Sequence, residues 1–559
     1  MTQASEPLVR LMPLGGLGEI GLNMLAIETA GKILLLDCGL MFPEAYMLGV
    51  DLVLPDVSML EARAGDIVGL ILTHGHEDHI GAIPFLWRQL GCPKIYGTCL
   101  TLGLLHNKLK EFQLESEVEL ETLVPRQVLD LAPFSIEPFR AAHSIVDGVG
   151  YAIRTPAGIL IHTGDFKIDQ TPVDGEKTDL ARLAELGEEG VLLLLADSTN
   201  VENNGYTLSE TTVGKAFAEI MPTRPRRIIV ATFSSNIHRI QQVIDAARAC
   251  GRRILVNGRS MVSNIAISRQ LGYLRVSDEL FIDLRDLRDL PPEQVLILTT
   301  GSQGEPLSSL MRIALGSHKQ IELETGDTVI LSSKFIPGNE KAISDLINNL
   351  YRRGAEVYYE KTSEIHVSGH ASREELKLVH NLVRPRYFVP VHGEYRHLVK
   401  HRQLAIEMGL APERTRVLEN GQSLLISAER FELGAPFEHG RIFVDGKGVG
   451  DVGNMELRDR RHLANHGLVI AMLAVNQSTG EVIFGPELFT RGFIPEEEQV
   501  GEQLLEEARY QLRRLLEEQS LGAVTDWEEL RVNVRKTLRR LFNRTLGRRP
   551  LILPLVLEL

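Results

Sequence analysis

The densest run of reactive side chains is THGHEDHIG, where His74, His76, Asp78 and His79 fall within six residues. Neutral imidazoles and a carboxylate are the donors that divalent zinc or manganese prefers. The cluster directly follows GLILT, an apolar run that reads as a buried strand. In a loop leaving a strand, residues at i, i+2, i+4 and i+5 can splay around two ions side by side. The plain alternative is a histidine-rich surface turn, which rarely joins three His and one Asp to a buried strand.

Four ligands leave two ions undersaturated. Further candidates each end an apolar strand: His143 in FRAAHSIVD, Asp165 in ILIHTGDFKID and His392 in RYFVPVHGEYRH. Singly, each reads as an ordinary polar residue; together with the first cluster they fill two sites. Asp37, closing KILLLD, is a carboxylate able to orient an imidazole N–H. Gly16, Gly18 and Gly21 spell the dinucleotide pattern G-x-G-x-x-G, which requires a helix opening at the last glycine. The following LNMLAIETAGKILLLD reads as strand, turn, strand, so a glycine turn is expected instead.

The positioning elements are short. LNMLAIET, GKILLLD, GLILTH and GILIHTGD read as strands, with a helical GAIPFLWRQL between them, at α/β spacing. From about Val191 the pattern changes to strand–helix repeats with a parallel sheet: RRIIVATF, IHRIQQVIDAARACG, RRILVNG, QVLILTTG, DTVILSS and a helix from about Glu340 to Arg353. The end of the chain reads as a hairpin (GLVIAMLAV–NQSTG–EVIFGPEL), two helices and a terminal strand LILPLVLEL.

With 559 residues the chain exceeds a single core, and about two to four domains are expected. Hydrophobic residues make up 44% and charged residues 24%, an ordinary globular balance. No apolar run reaches the roughly 18–20 residues of a membrane span, and MTQASEPLVR lacks a secretory pattern. Four cysteines without a CxxC pair fit a reducing cytoplasm. The net charge of −14 weighs against nonspecific nucleic-acid binding, although a phosphate-binding channel needs only a local basic lining, and RVNVRKTLRRLFNRTLGRR shows that basic residues cluster. That cluster reads equally as a nucleic-acid-facing surface or as a solvated or interface helix face.

Taken together, Asp37, THGHEDH, His143 and Asp165 resemble the successive motifs of the metallo-β-lactamase superfamily. ADSTN around Asp197, SGHAS around His370 and PVHGE around His392 resemble the three further motifs of its β-CASP nucleic-acid-processing branch. GGLGEIGLN, TGSQGEP, IPGNEKA, HVSGHAS, ELKLVHNLVRP, GDVGN, LRDRR and RRPLILPLVLEL resemble the ribonuclease J family over essentially the whole chain. Two departures stand out: HSIVD where the family has HSIPD, and SSKFIPGNE where SSSPIPGNE is usual. The second puts a Lys and a Phe near the expected RNA path.

The resemblance implies an α/β fold: a metallo-β-lactamase αββα sandwich with an inserted β-CASP α/β domain and a small α+β C-terminal domain. Mapped here, residues 1–207 and 356–450 form the first domain, 208–355 the insert, 451–459 a linker and 460–559 the last domain. It implies a metal-dependent exo- and endoribonuclease of RNA maturation and decay, acting from the 5′ end, cytoplasmic, as a homodimer or tetramer with other RNA-decay proteins as partners. One ion is then held by His74, His76 and His143, the other by Asp78, His79 and His392, with Asp165 bridging; zinc and manganese both suit these donors. Two such ions lower the pKa of water from 15.7 to about 7 and neutralise charge on phosphoryl oxygens. His370 is expected to serve the leaving 3′ oxygen, with Asp197 holding the geometry. The nest His366, Val367, Ser368, Gly369 and His370, facing Ser234, Ser235, Asn236 and His238, is expected to seat a 5′ phosphate without Lys or Arg. A structural calcium at Gly49, Asp51 and Asp445 is also implied, although Asp and Gly in loops usually mean turns. Other readings stay open: a small-molecule hydrolase, a noncatalytic RNA-binding scaffold, and DNA as substrate.

Overall fold

The computed structural model describes residues 7–44, 46–305, 307–335, 339–446, 448–476, 482–493, 498–519 and 527–558. Two compact units emerge: Met1–Phe42 with Leu52–Ile442, and Pro43–Asp51 with Phe443–Leu559.

In the first unit, two sheets face each other. One has eight strands, in the order Phe431–Leu433, Leu424–Ile426, Val9–Gly15, Met24–Thr29, Lys32–Leu36, Ile67–Ile71, Ile95–Gly97 and Leu120–Thr122; the other has six, in the order Tyr387–Val391, Val191–Asp197, Gly158–His162, Val149–Thr155, Phe134–Arg140 and Leu129–Leu131. Their inward side chains, among them Leu11, Ile27, Leu34, Ile136, Tyr151, Leu193 and Val389, form one core. The glycine-rich stretch opens no helix. It connects Val9–Gly15 to Met24–Thr29, which then turns back through Ala30 and Gly31, both at positive φ (49° and 76°), into Lys32–Leu36. Such a left-handed pair is what a two-residue hairpin needs.

Strand direction decides where the chemistry sits. Gly158–His162, Val191–Asp197 and Tyr387–Val391 run parallel, pairing His162 with Leu195 and Asp197 with Val391. Their carboxyl ends therefore share one edge, where Asp165, Asp197 and His392 emerge. Lys32–Leu36 and Ile67–Ile71 are likewise parallel, with Leu36 opposite Ile71, so Asp37 and Thr73 leave the facing sheet together.

The helices Leu180–Glu189, Arg373–Val383 and Tyr395–Glu407 cover the six-stranded sheet through Leu183, Leu186, Leu376, Val379 and Leu404. Asp179 caps the first by accepting from Arg182 N; Ser372 and Glu375 form a capping box on the second. Gly187 permits their close approach, since a Cβ there would lie 2.0 Å from Leu382 O.

A six-stranded, all-parallel sheet forms the insert, in the order Phe281–Ile282, Arg253–Asn257, Val295–Thr299, Ile228–Ala231, Thr328–Leu331 and Glu356–Tyr358. Its central strands are buried throughout, as continuous apolar runs in parallel sheets are. The change of pattern comes at Ile228 rather than Val191, because Val191–Asp197 pairs into the first sandwich. GAIPFLWRQL also differs from expectation: the helices here are the single turns Glu77–Ile80 and Ile83–Leu86. Ala82 N–H donates to Cys38 O, while Asp78 O accepts from Asn23 N, so the ladder that would have joined them is diverted.

The second unit has a three-stranded sheet, Val482–Arg491, Leu468–Val475 and Leu551–Glu558, covered by the helices Glu498–Gln519 and Trp527–Leu546. Its core includes Val469, Ala471, Leu512, Leu538 and Phe542. Most of the expected NQSTG turn and residues 336–338 of IPGNEKA lie outside the described residues. The stretch expected as a linker runs into a helix, Asn454–His466. No helix of the described residues is long and apolar enough to cross a membrane.

Candidate metal centre

Asp165 is the hub. Its buried Oδ2 lies 3.4 Å from His79 Nε2, 3.7 Å from His392 Nε2, and 3.8 Å from both His74 Nε2 and His143 Nε2. Asp78 Oδ2 is 3.6 Å from His79 Nε2 and 3.5 Å from His392 Nε2. His74 Nε2 and His76 Nδ1 approach to 2.9 Å. Three groups result, each with ligand atoms within 4.8 Å of one another: His74, His76 and His143; Asp78, His79, Asp165 and His392; and Asp165, Asp197, His370 and His392. Ligands about 2.0–2.1 Å from a tetrahedral zinc stand about 3.3 Å apart, so these separations fit a small divalent cation.

Tautomers point the same way. Thr73 Oγ1 donates to Asp37 Oδ2 (2.8 Å), so the Nδ1–H of His74 must be the donor in its 3.0 Å contact with Thr73 Oγ1. His79 Nδ1–H donates to Asp37 Oδ2 at 2.8 Å and His143 Nδ1–H to Gly369 O at 2.8 Å. His392 Nδ1 meets Thr199 Oγ1 at 2.6 Å. In each of these rings Nδ1 is engaged outward and Nε2 is turned inward toward Asp165, the orientation that metal-binding histidines require.

The electrostatics are those of a site shaped for positive charge. Burial, reinforced by neighbouring imidazoles, holds His74 and His143 well below the usual histidine range and brings His76 to about 4. Burial would lower His392 too, but Asp165, Asp197 and Asp78 outweigh it and raise the ring to about 10. Burial pushes Asp165 up, yet His392, His79 and His74 hold it well below the carboxylate range.

Asp37 sits one step back from the ligands. It also accepts from Thr73 N at 2.8 Å, and its φ of 59° turns the chain out of the strand. His370 Nδ1–H donates to Asp197 Oδ2 at 2.7 Å, and Asp197 Oδ1 accepts from Thr199 N. Gly369 must be glycine here, since a Cβ would meet the His143 ring at 2.6 Å.

The expected phosphate nest is only partly assembled. Ser368 Oγ accepts from His370 N, and Ser234 Oγ from Asn264 Nδ2. Val367 is buried, and Ser235 O accepts from Ile237 N. Asn236 is buried and spends its side-chain oxygen on Arg239 N, capping the helix Ile237–Ala249, while His238 Nε2 sits 3.0 Å from Asp174. Those two side chains hold structure rather than open donors. Nor is the nest free of basic groups: Arg239, fully buried, donates to His366 Nδ1 at 3.0 Å, with its charge paired to Glu210 at 2.8 Å. The expected calcium ligands are also engaged. Arg460 pairs with Asp445 Oδ2 at 2.5 Å and donates to Leu48 O at 3.0 Å, and Gly446 N donates to Asp51 Oδ2 at 2.8 Å. A Cβ on Gly49 would lie 2.6 Å from the same guanidinium. As arranged, these groups hold an internal cation and do not fit a calcium ion.

Sequence reasoning missed Thr73, Thr199, Asn23 and Gly39. Asn23 Nδ2 donates to Asp78 O at 3.1 Å, and a Cβ on Gly39 would fall 1.6 Å from that same carbonyl. Thr73 and Thr199 lie inside the motifs THGHEDH and ADSTN, so the signal was present without a role attached. His162, buried beside the centre, accepts from Gly164 N at 3.0 Å.

Comparison with known proteins gives the family. Residues 17–169 match a model of the metallo-beta-lactamase superfamily, 225–350 the ribonuclease J beta-CASP domain, 354–417 a Zn-dependent metallo-hydrolase RNA specificity domain, and 455–559 the ribonuclease J C-terminal domain. The chain is 45% identical to Ribonuclease J of Thermus thermophilus, covering 98% of this chain and 95% of that one. It is 40% identical to Ribonuclease J2 of Bacillus subtilis, covering 98% of each. A solved protein of unknown function from Enterococcus faecalis shares the fold, with a TM-score of 0.53 at 16% identity over 75% of this chain and all of the other. With its motifs converging on one buried His/Asp centre and its full length matched, the chain belongs to the ribonuclease J family of the metallo-β-lactamase superfamily.

Proposed function

We propose that this protein hydrolyses RNA phosphodiester bonds, working processively from a 5′ end and also cutting internally, in RNA maturation and decay. The single observation that carries the reading is Asp165 Oδ2, which stands within 3.8 Å of the Nε2 atoms of His74, His79, His143 and His392. We assign two divalent ions per subunit, zinc or manganese: His74, His76 and His143 would hold one, Asp78, His79 and His392 the other, and Asp165 would serve both. Bound there, such ions make water a nucleophile near neutral pH and offset charge on the phosphoryl oxygens.

The chain's own residues do the rest. Asp37 fixes the tautomer and orientation of His79. Asp197 does the same for His370, whose Nδ1 proton it accepts, leaving Nε2 to give a proton to the leaving 3′ oxygen. Ser368 and the adjoining backbone, with Ser234 opposite, seat the 5′ phosphate. Nearby Arg239 is neutralised by Glu210, so a monophosphate suits the seat better than a triphosphate. A calcium at Gly49, Asp51 and Asp445 is not part of the proposal.

We place residues 1–207 and 359–442 in the catalytic domain and 208–358 in the insert, because the strand Glu356–Tyr358 pairs into the insert's sheet and Phe443 onward belongs to the second unit. The protein is read as cytoplasmic, with its four cysteines free, and as an oligomer working beside other RNA-decay proteins. The test is to incubate it with 5′-labelled and 3′-labelled RNA and with DNA, each with and without chelator. Metal-dependent release of nucleotides from the 5′ end of RNA supports the proposal; cleavage of DNA alone overturns it.

A further inference from the structure

The net charge of −14 hides a strong segregation. From Arg531 to Arg549 the chain carries eight Lys and Arg and no Asp or Glu. Most of this stretch lies in the helix Trp527–Leu546. Leu530, Val534, Leu538, Leu541 and Phe542 bury one face in the core of the second unit. At 3.6 residues per turn that leaves Arg535, Lys536, Arg539, Arg540 and Arg544 on the opposite face, and all five are exposed. They extend over about 14 Å of helix. Among the described residues none of the five forms an ion pair, whereas the neighbouring helix Glu498–Gln519 pairs Arg509 with Glu506 and Arg514 with Glu518 internally.

Unpaired like charges along one face repel one another at i,i+4 spacing. A partner that supplies regularly spaced negative charge relieves that repulsion. The apolar face of the helix is already spent on the core, so insertion into a lipid surface, which needs that face, is disfavoured. We propose that this face is an accessory RNA-binding surface that grips the phosphate backbone, independent of sequence and separate from the His/Asp centre. It extends the ribonuclease reading, but it makes a prediction about binding that needs no cleavage.

The test is fluorescence anisotropy with a 30-nucleotide unstructured RNA in chelator, comparing the wild-type protein with the combined Arg535→Gln, Lys536→Gln, Arg539→Gln and Arg540→Gln variant. Glutamine keeps helix propensity close to that of Arg and Lys, so the fold should be retained, which circular dichroism checks. Each lost phosphate contact lowers the slope of log Kd against log salt by about 0.7 for a single strand. The variant should therefore lose about 2 to 3 from that slope and bind at least about tenfold more weakly at low salt, while a pentanucleotide is cleaved at the wild-type rate. An unchanged Kd and slope would overturn the proposal. So would unchanged RNA binding with an altered oligomeric state, which would reassign the face to a protein partner. If the binding shift appears but wild-type protein fails to cleave the pentanucleotide, the surface stands and the ribonuclease reading falls.

Discussion

Asp165 is the hub of this centre, because one carboxylate oxygen stands within 3.8 Å of the Nε2 atoms of His74, His79, His143 and His392. Asp78→Ala or His76→Ala should abolish RNA cleavage without unfolding the chain; cleavage near the wild-type rate by either purified variant would sink the assignment. His370 differs in kind. Its Nδ1 is engaged by Asp197, and in the role proposed for it, serving the departing oxygen through the other nitrogen, it would matter mainly in the transition state. His370→Ala should cut single-turnover cleavage by about 10²-fold or more while RNA affinity changes little; a collapse of affinity with unchanged chemistry would make it a binding residue. For Asp37, which touches a ligand rather than an ion, Asp37→Ala should weaken metal affinity by about 10–100-fold, read in a competition with a chromogenic chelator. The ten His and Asp residues gathered here, seven candidate ligands with Asp37, Asp197 and His370, were singled out from types and spacing or from the motifs around them. The threonines were not, because a hydroxyl that sets a tautomer looks like any other hydroxyl until its proton is traced. Asn236 and His238 were misjudged for a related reason: a donor-rich string says nothing about which donors the helix cap and Asp174 have already taken.

At the scale of elements, parallel strand direction is what gathers residues far apart in the chain. The strands before Asp165, Asp197 and His392 were visible as apolar runs, but their shared direction and edge were not, since pairing is a nonlocal property. The stretch after His79 shows the limit from the other side. Its helical periodicity is real, yet Asn23 and Cys38 divert the backbone groups that a longer helix needs. The metal loop is thereby tied to the glycine-rich connection and to the turn after Lys32–Leu36. Gly39 lies against that knot, and Gly39→Ala would drive a methyl into Asp78 O. We expect that substitution to lower both the melting temperature and metal content, measured by calorimetry and elemental analysis. Wild-type values for both would mean the loop is not held there.

For the whole molecule, an acidic protein that handles RNA has to keep its basic groups local, and the segregated helix of the second unit is one such place. A parallel-sheet pattern between two sets of metal motifs was readable, but its far edge was not, since the strand Glu356–Tyr358 still pairs into that sheet; nor was the helix in the expected linker, because Arg458 to Arg461 are all charged and the helix buries only Leu457. The central claim is that this buried His/Asp centre cleaves RNA with two ions per chain. It is tested most directly by stripping the protein with chelator and titrating zinc or manganese back while following 5′-labelled, 5′-monophosphorylated RNA. The account predicts no cleavage by the stripped protein, recovery that saturates near two equivalents per chain, and labelled mononucleotide as the early product. Full cleavage by the stripped protein, or no cleavage at any metal loading, would contradict it.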